Sequence, residues 1–210
     1  MKYRILLLLS LLAPLAYGQN MQQQQRVSRA ADLERDLSLN VLNATQLEAH
    51  RTRAEQKLRD FYGLLGYQAN QQYATMNTVS ATEDRSLRLF HDTTATVAPP
   101  FGTGPALPVR QFLNALESNY DAVEFYLDSL QWTAPFTPTS PGTYQGQCTY
   151  TLTARAYLGG ELTQTRTAPQ SATVWLRQVE KDFGRRGSNL VWETSLGNIE
   201  WIDSNDSIDD

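Results

Sequence analysis

Between Thr143 and Leu158 the chain alternates with a period of two. Tyr144, Cys148, Tyr150, Leu152, Ala154, Ala156 and Leu158 fall on one side, and Thr143, Gln145, Gln147, Thr149, Thr151, Thr153 and Arg155 on the other. Successive side chains of a strand point to opposite faces, so the pattern predicts a long strand with one buried and one polar face. Gly159-Gly160 ends it in a tight turn, where glycine reaches positive φ without a steric penalty. Ser171–Val179 and Leu190–Ile202 predict two further strands around a hairpin loop over Lys181–Asn189, with Gly197 marking a bulge or bend. Upstream, Val123, Phe125 and Leu127 alternate with Glu124, Tyr126 and Asp128, which predicts a strand from Ala122 to Pro135. Leu130 and Trp132 break its parity, and a helical continuation of the preceding segment is the alternative. Phe136–Gly142 reads as a Pro- and Thr-rich connector, and Leu162–Pro169 fits neither period.

The first half of the chain carries helical spacing instead. Leu47, Ala54, Leu58, Phe61 and Leu65 recur at intervals of seven, four, three and four, a single stripe down one helix. Thr45 and Glu48 form a capping box at its start. Glu55 and Arg59 stand in the favourable i, i+4 order on the wet side, and His50 falls among charges and is expected in solvent. Gly63 and Gly66 mark the expected end. A second capping box, Ser80-x-x-Glu83, opens a shorter helix through Leu87 and Phe90. Ala95–Val97 is a short strand candidate, and Pro99-Pro100 with Gly102 and Gly104 makes a loop. Pro108 suits the first position of a third helix, whose stripe is Val109, Phe112, Leu113 and Leu116. Ser28–Ser38 carries Ala31, Leu33 and Leu37 and reads as a short helix or a loosely docked arm.

The N-terminus changes the picture most. Lys2 and Arg4, an apolar run from Ile5 to Leu12 and small residues up to Gly18 have the form of a signal peptide over residues 1–18. Reaching only to Ala16, the apolar run spans about 13 residues, short of the roughly 20 a spanning helix needs. No later stretch is long and apolar enough, so no integral membrane segment is expected after cleavage. The glutamine-rich QNMQQQQ that follows has nothing to bury, so residues 19–44 read as a disordered arm. Loss of the two leader cations takes the formal charge from −4 to −6, which argues against nucleic acid or anionic lipid as a partner. The sole cysteine, Cys148, excludes an intramolecular disulfide and reads as a small buried hydrophobe.

The order of elements is helix, helix, short strand, helix, then four strands, an α+β class with helices on one side of an antiparallel sheet. With the stripe from Leu47 to Leu65, RSLRLFHDTTATVAPP at residues 85–100, PVRQFLNALE at residues 108–117 and the strands to Trp201, the chain resembles the nuclear transport factor 2-like fold. It is also similar to secreted bacterial members of that fold without an evident active site. The resemblance implies a long N-terminal helix and short helices packed on a strongly bent, cone-like sheet. One domain over residues 45–203 and an acidic tail over residues 204–210 complete the expected organisation.

Candidate chemistry is sparse. There are two histidines, His50 and His91, no metal-ligand spacing, no glycine-rich phosphate loop and no nucleophile elbow, so neither metal nor cofactor is expected. Enzymes of the resembling fold carry an Asp or His–Asp base in an apolar cone. The nearest candidates are His91 with Asp92, and Asp128 beside Tyr126. Yet His91-Asp92 more simply ends a helix, Glu124 and Asp128 more simply face water, and no catalytic residue is assigned. Trp132, Trp175, Trp192 and Trp201 all fall in the sheet. Trp175 lies on the parity opposite Ala172, Val174 and Leu176; the tryptophans read first as filling a large sheet–helix interface, and an exposed aromatic marking a contact surface is the alternative. Arg185-Arg186 reads as a solvated hairpin tip. Asn43 and Asn205 begin glycosylation acceptor patterns, relevant only in a eukaryotic secretory pathway.

The expectation is an exported, non-catalytic binding module for a protein or a small ligand, possible also as a homodimer. A small isomerase- or dehydratase-like enzyme is the alternative. Export is periplasmic or extracellular, and the intact mass of the exported form should correspond to a chain starting at Gln19. A mature species that retains residues 1–18 would contradict this.

Overall fold

The computed structural model describes residues 41–70, 76–102, 104–184 and 187–202. The expectations for the leader, the Ser28–Ser38 segment, Arg185-Arg186, the second acceptor sequence and the acidic tail lie outside them. The described residues from Ala44 onward form one compact unit. Helix α1 (Ala44–Gln68) and helix α2 (Met76–Leu87) precede two short strands, β1 (Thr96–Val97) and β2 (Leu107–Pro108). Helix α3 (Val109–Asn119) follows, then four long strands: β3 (Ala122–Ser140), β4 (Thr143–Leu158), β5 (Glu161–Asp182) and β6 (Ser188–Trp201). They form a six-stranded sheet in the order β2-β1-β6-β5-β4-β3. The long strands run antiparallel, while β1 joins β6 in parallel at Val97 and Ile199, so the sheet is mixed. The class is α+β, as the order of elements predicts.

Strand β4 has the predicted bounds. Tyr144, Cys148, Tyr150, Leu152, Ala154 and Ala156 are buried, whereas Leu158 at the hairpin end is exposed. Gly159 and Gly160 both have positive φ, 62° and 80°, which suits the two-residue turn joining Leu158 to Glu161. The expected connector after Pro135 is instead strand. Strand β3 continues to Ser140 because it is the sheet edge, where prolines that cannot donate to a ladder are tolerated. The parity break before Trp132 is a bulge. Pairing with β4 shifts between Asp128 and Gln131, and Ser129 there adopts φ 53°. The ambiguous Leu162–Pro169 also belongs to a strand, since β5 pairs with β4 from Glu161 onward. Pro169 fits because β6 pairing begins only at Gln170, and the Pro169 carbonyl on that side accepts the Ile202 N–H. The hairpin between β5 and β6 is correspondingly shorter than Lys181–Asn189, its strands reaching Asp182 and Ser188.

Helix α1 lays its stripe on the inner face of this sheet. Ala54, Leu58, Phe61 and Leu65 are buried as the spacing predicts, and Tyr62 is buried beside them. Four expectations for the helix are corrected. It begins at Ala44, so Thr45 is inside the helix and not at its cap. It runs through Gly63 and Gly66 to Gln68, because packing of Tyr62 and Leu65 outweighs the penalty of roughly 1 kcal/mol for each glycine. His50 is buried, with Nδ1 2.8 Å from the Thr194 hydroxyl of β6. It sits four residues before Ala54, on the stripe itself. Glu55 turns to the sheet and accepts the Trp132 indole N–H at 3.2 Å. Helix α2 starts at Met76, so Ser80 lies within it. Phe90 lies beyond it, in a parallel bridge to Leu196. Pro108 flanks α3 as its cap residue, and Val109, Phe112, Leu113 and Leu116 are all buried. The Phe61 ring meets Phe90 edge-on at 4.9 Å and lies 6.4 Å from Phe112, so α1, α3 and the bridge segment share one core. No helix among the described residues is long and apolar enough to cross a membrane.

Leu58 is 1% exposed at the centre of the stripe. Removing its side chain (Leu58→Ala) should cost about 2–5 kcal/mol. Leu58→Asp, which places a charge among apolar groups, should abolish the cooperative thermal transition followed by circular dichroism. A wild-type melting temperature in the aspartate variant would mean the stripe is not the helix's packing surface.

Candidate functional site

The inner face of the sheet is filled rather than hollow. Tyr150 and Leu152 of β4 are 2% and 1% exposed, and Phe61 and Leu65 press on that face with no exposure at all. At its centre the Tyr62 hydroxyl donates to Gln170 Oε1 at 2.6 Å and the Tyr150 hydroxyl donates to the same oxygen at 3.0 Å. The two hydroxyls are 2.9 Å apart. Burial pushes both phenols well above their ordinary pKa, so both stay protonated and serve as donors. Cys148 lies on the same face with its thiol pushed up to about 12 by burial. That makes it an inert packing group and not a nucleophile.

Asp128 and Tyr126 are not brought together. Both are exposed. Asp128 accepts the Ser129 backbone N–H at 2.7 Å and so supports the bulge. The Tyr126 hydroxyl donates to Glu124 at 3.0 Å, and the Tyr157 hydroxyl reaches the same carboxylate oxygen at 3.0 Å. This small cluster borders an open groove of about 500 Å³ between the end of α1 and the edge strand, where Gly66 backs onto the Val123 carbonyl.

His91, Asp92 and Trp175 are brought together, on the outer face of the sheet. The His91 backbone N–H donates to the Leu196 carbonyl at 2.7 Å, which fixes the loop after α2 against β6. The His91 ring stacks on Trp175 with centroids 5.3 Å apart and planes at 30°. Asp92 Oδ1 accepts three bonds, from the Thr94 N–H (2.7 Å), the Thr94 hydroxyl (2.5 Å) and the Ala95 N–H (3.0 Å). These hydrogen bonds favour the carboxylate and hold its pKa below the ordinary value. Burial first, then the nearby Arg177 charge, lowers the His91 pKa, so the imidazole is neutral near pH 7. A hollow of about 200 Å³ opens here, with Gln145, Thr173 and Asn198 in its lining.

Two backbone features make that hollow. The register between β5 and β6 slips between Ala172 and Val174, which face Ile199 and Leu196, so β6 carries an extra residue around Gly197. The slip sends Asn198 outward, where its Oδ1 accepts the Thr96 N–H at 3.1 Å. Gly197 permits the close approach of Trp175, since a Cβ at that position would stand 2.7 Å from the indole Nε1. The sequence pattern carries the parity of Trp175 and the bulge at Gly197, but not their adjacency to His91. That adjacency comes from the parallel bridge between Phe90 and Leu196. Among the described residues no group of three or more His, Cys, Asp or Glu gathers as a metal ion would need.

Gly197→Ala should therefore displace Trp175 and lower stability by about 1–3 kcal/mol, the usual penalty for overpacking. The displacement should appear as a shift of the Trp175 indole N–H resonance. An alanine variant with the wild-type indole resonance and melting temperature would rule out the close contact.

No protein-family model matches the chain, and no curated protein matches it in sequence. Among solved structures it is similar to a candidate scytalone dehydratase from Novosphingobium aromaticivorans. The identity is 11% and the TM-score 0.44, over 74% of this chain and 85% of that one. It is also similar to a protein from the same organism described as NTF2-like with a cystatin-like fold. There the identity is 13% and the TM-score 0.34, over 77% of this chain and 92% of that one. Likenesses at these scores carry no argument about activity. The chain resembles the NTF2-like, cystatin-like proteins in its α+β plan of helices packed on a long-stranded sheet.

Proposed function

We propose that this chain is a non-catalytic binding module that works after export and takes a small polar ligand in the His91–Trp175 hollow on the outer face of the sheet. The observation that carries this reading is the filled inner face. A base acting on an apolar substrate needs an open apolar chamber and a carboxylate whose pKa is raised by desolvation. Here the inner face is occupied by the side chains of α1. The carboxylate nearest a histidine, Asp92, is exposed and held below its ordinary pKa. The outer hollow instead offers an aromatic wall and several polar side chains, the composition of a recognition site.

Chemical-shift mapping on the ¹⁵N-labelled mature chain, with a library of small polar fragments, tests the proposal. The expected shifts cluster at residues 91–95, 173–175 and 197–198, with every fragment recovered unchanged. Shifts at Tyr62, Tyr150 and Gln170, or conversion of a fragment, would favour an enzyme with an inner site. Shifts that instead follow protein concentration and spread over Thr149, Thr151 and Thr153 would make the polar face a homodimer surface, and the hollow reading would fall.

A further inference from the structure

Resting on the reading above, we infer that the ligand class of the hollow is an uncharged, polyhydroxylated ring, a single sugar unit or its close equivalent. Some of the polar atoms around the hollow are already used. Asp92 Oδ1 is saturated by three donors, and its Oδ2 has no partner among the described residues. Asn198 Oδ1 is taken by the Thr96 N–H, which leaves the Nδ2 protons. The Gln145 amide and the Thr173 hydroxyl have no side-chain partner among the described residues, and each can both donate and accept. The neutral His91 ring adds one donor and one acceptor nitrogen. Donors and acceptors thus both line one small space.

That mixture selects the ligand. Each hydroxyl of a polyol donates one hydrogen bond and accepts others, so it can satisfy a carboxylate oxygen and an amide N–H at once. An anion would face the free oxygen of Asp92. A simple cation would be met by Asp92 but would leave the Asn198 Nδ2 protons and the Gln145 and Thr173 donors without an acceptor. An apolar ligand would cover these donors and acceptors without pairing them, which is expensive. His91 and Trp175, stacked on each other, both line the hollow and bring aromatic surface to it, against which the C–H groups of a sugar ring can pack. At about 200 Å³ the hollow is smaller than the roughly 300–1,000 Å³ of a drug-sized pocket. That volume suits a single small ring.

The test is a titration of the full mature chain with methyl glycosides of glucose, galactose and mannose, followed by two-dimensional NMR. Glycine and inorganic phosphate are the charged comparisons. The expected result is saturable shifts at residues 91–95, 173–175 and 197–198 with at least one glycoside, and none with phosphate. Gln145→Ala should weaken that glycoside about tenfold, as loss of one or two hydrogen bonds would, and Thr173→Val should weaken it by less. Both positions lie on the outer face, away from the core, and a retained circular dichroism melt confirms the fold of each variant. Trp175→Ala should abolish binding; should that variant not fold, Trp175→Phe, which keeps a ring, should retain part of it. If glycine or phosphate shifts the hollow and no glycoside does, the sugar inference falls and the binding reading stands. If no compound moves these resonances, both fall.

Discussion

Most of this structure depends on the contact between one helix stripe and the inner face of one sheet. Helix α1 lies against β3, β4, β5 and β6 through Phe61, Tyr62, Leu65 and their neighbours, and at its centre the apolar contact contains three polar groups. Tyr62, Tyr150 and Gln170 come from a helix and two strands. Their mutual bonds hold only in one register of each element. Two hydroxyl protons serve three short contacts, so at most two of the three are filled at a time. Gln170 Nε2 has no hydrogen-bond partner among the described residues. Such a centre adds little net stability compared with an apolar one, and what it supplies is a unique arrangement. A slip of β4 by one residue would exchange its Tyr150 face for the Thr149–Thr151 face and lose both the apolar burial and the bonds.

The same contact moves the chemistry outward. With the inner face occupied, the polar residues that could meet a ligand lie, among the described residues, on the rims and the outer face. On the outer face two departures from ideal strand geometry do the shaping. The bulge at Ser129 reverses the parity of β3, so Trp132 turns towards α1, where Glu55 accepts its N–H and Arg51 lies 5.5 Å from the ring centroid. The bulge at Gly197 lowers the floor beside Trp175 and turns Asn198 outward. Bulges re-aim side chains without altering the ladder elsewhere. One of them closes the inner core and the other opens the outer hollow.

The four tryptophans illustrate the division. Trp132 and Trp192 pack by the inner edge, with Phe136 and Tyr144 as ring neighbours. Trp201 donates to the Pro99 carbonyl at 3.0 Å and lies under Arg166 at 3.9 Å, tying the last strand to the loop before α3. Trp175 alone is stacked on a histidine in a polar hollow. Composition treats the four alike. Strand parity separates Trp175 from its apolar neighbours, and this is the one distinction among the four that period-two reading could deliver.

What the sequence determined by itself was the class, the long helix stripe, strand β4 to the residue, and the outward parity of Trp175. These are local properties, written in spacings of two and of three to four that depend on backbone geometry alone. The tertiary structure decided what local spacing cannot express. His50 looked solvated among charged neighbours, yet it sits one turn from Ala54 on the packing face, and Thr194, 144 residues away, supplies its hydrogen-bond partner. The prolines of β3 and β5 looked like breaks, yet their positions on open strand sides removed the penalty that proline carries inside a ladder. His91 and Asp92 looked like a helix end. Only the parallel bridge from Phe90 to Leu196 placed them over Trp175, because which strand edge a loop finds is a question of sheet order, and sheet order is settled by burial across the whole chain.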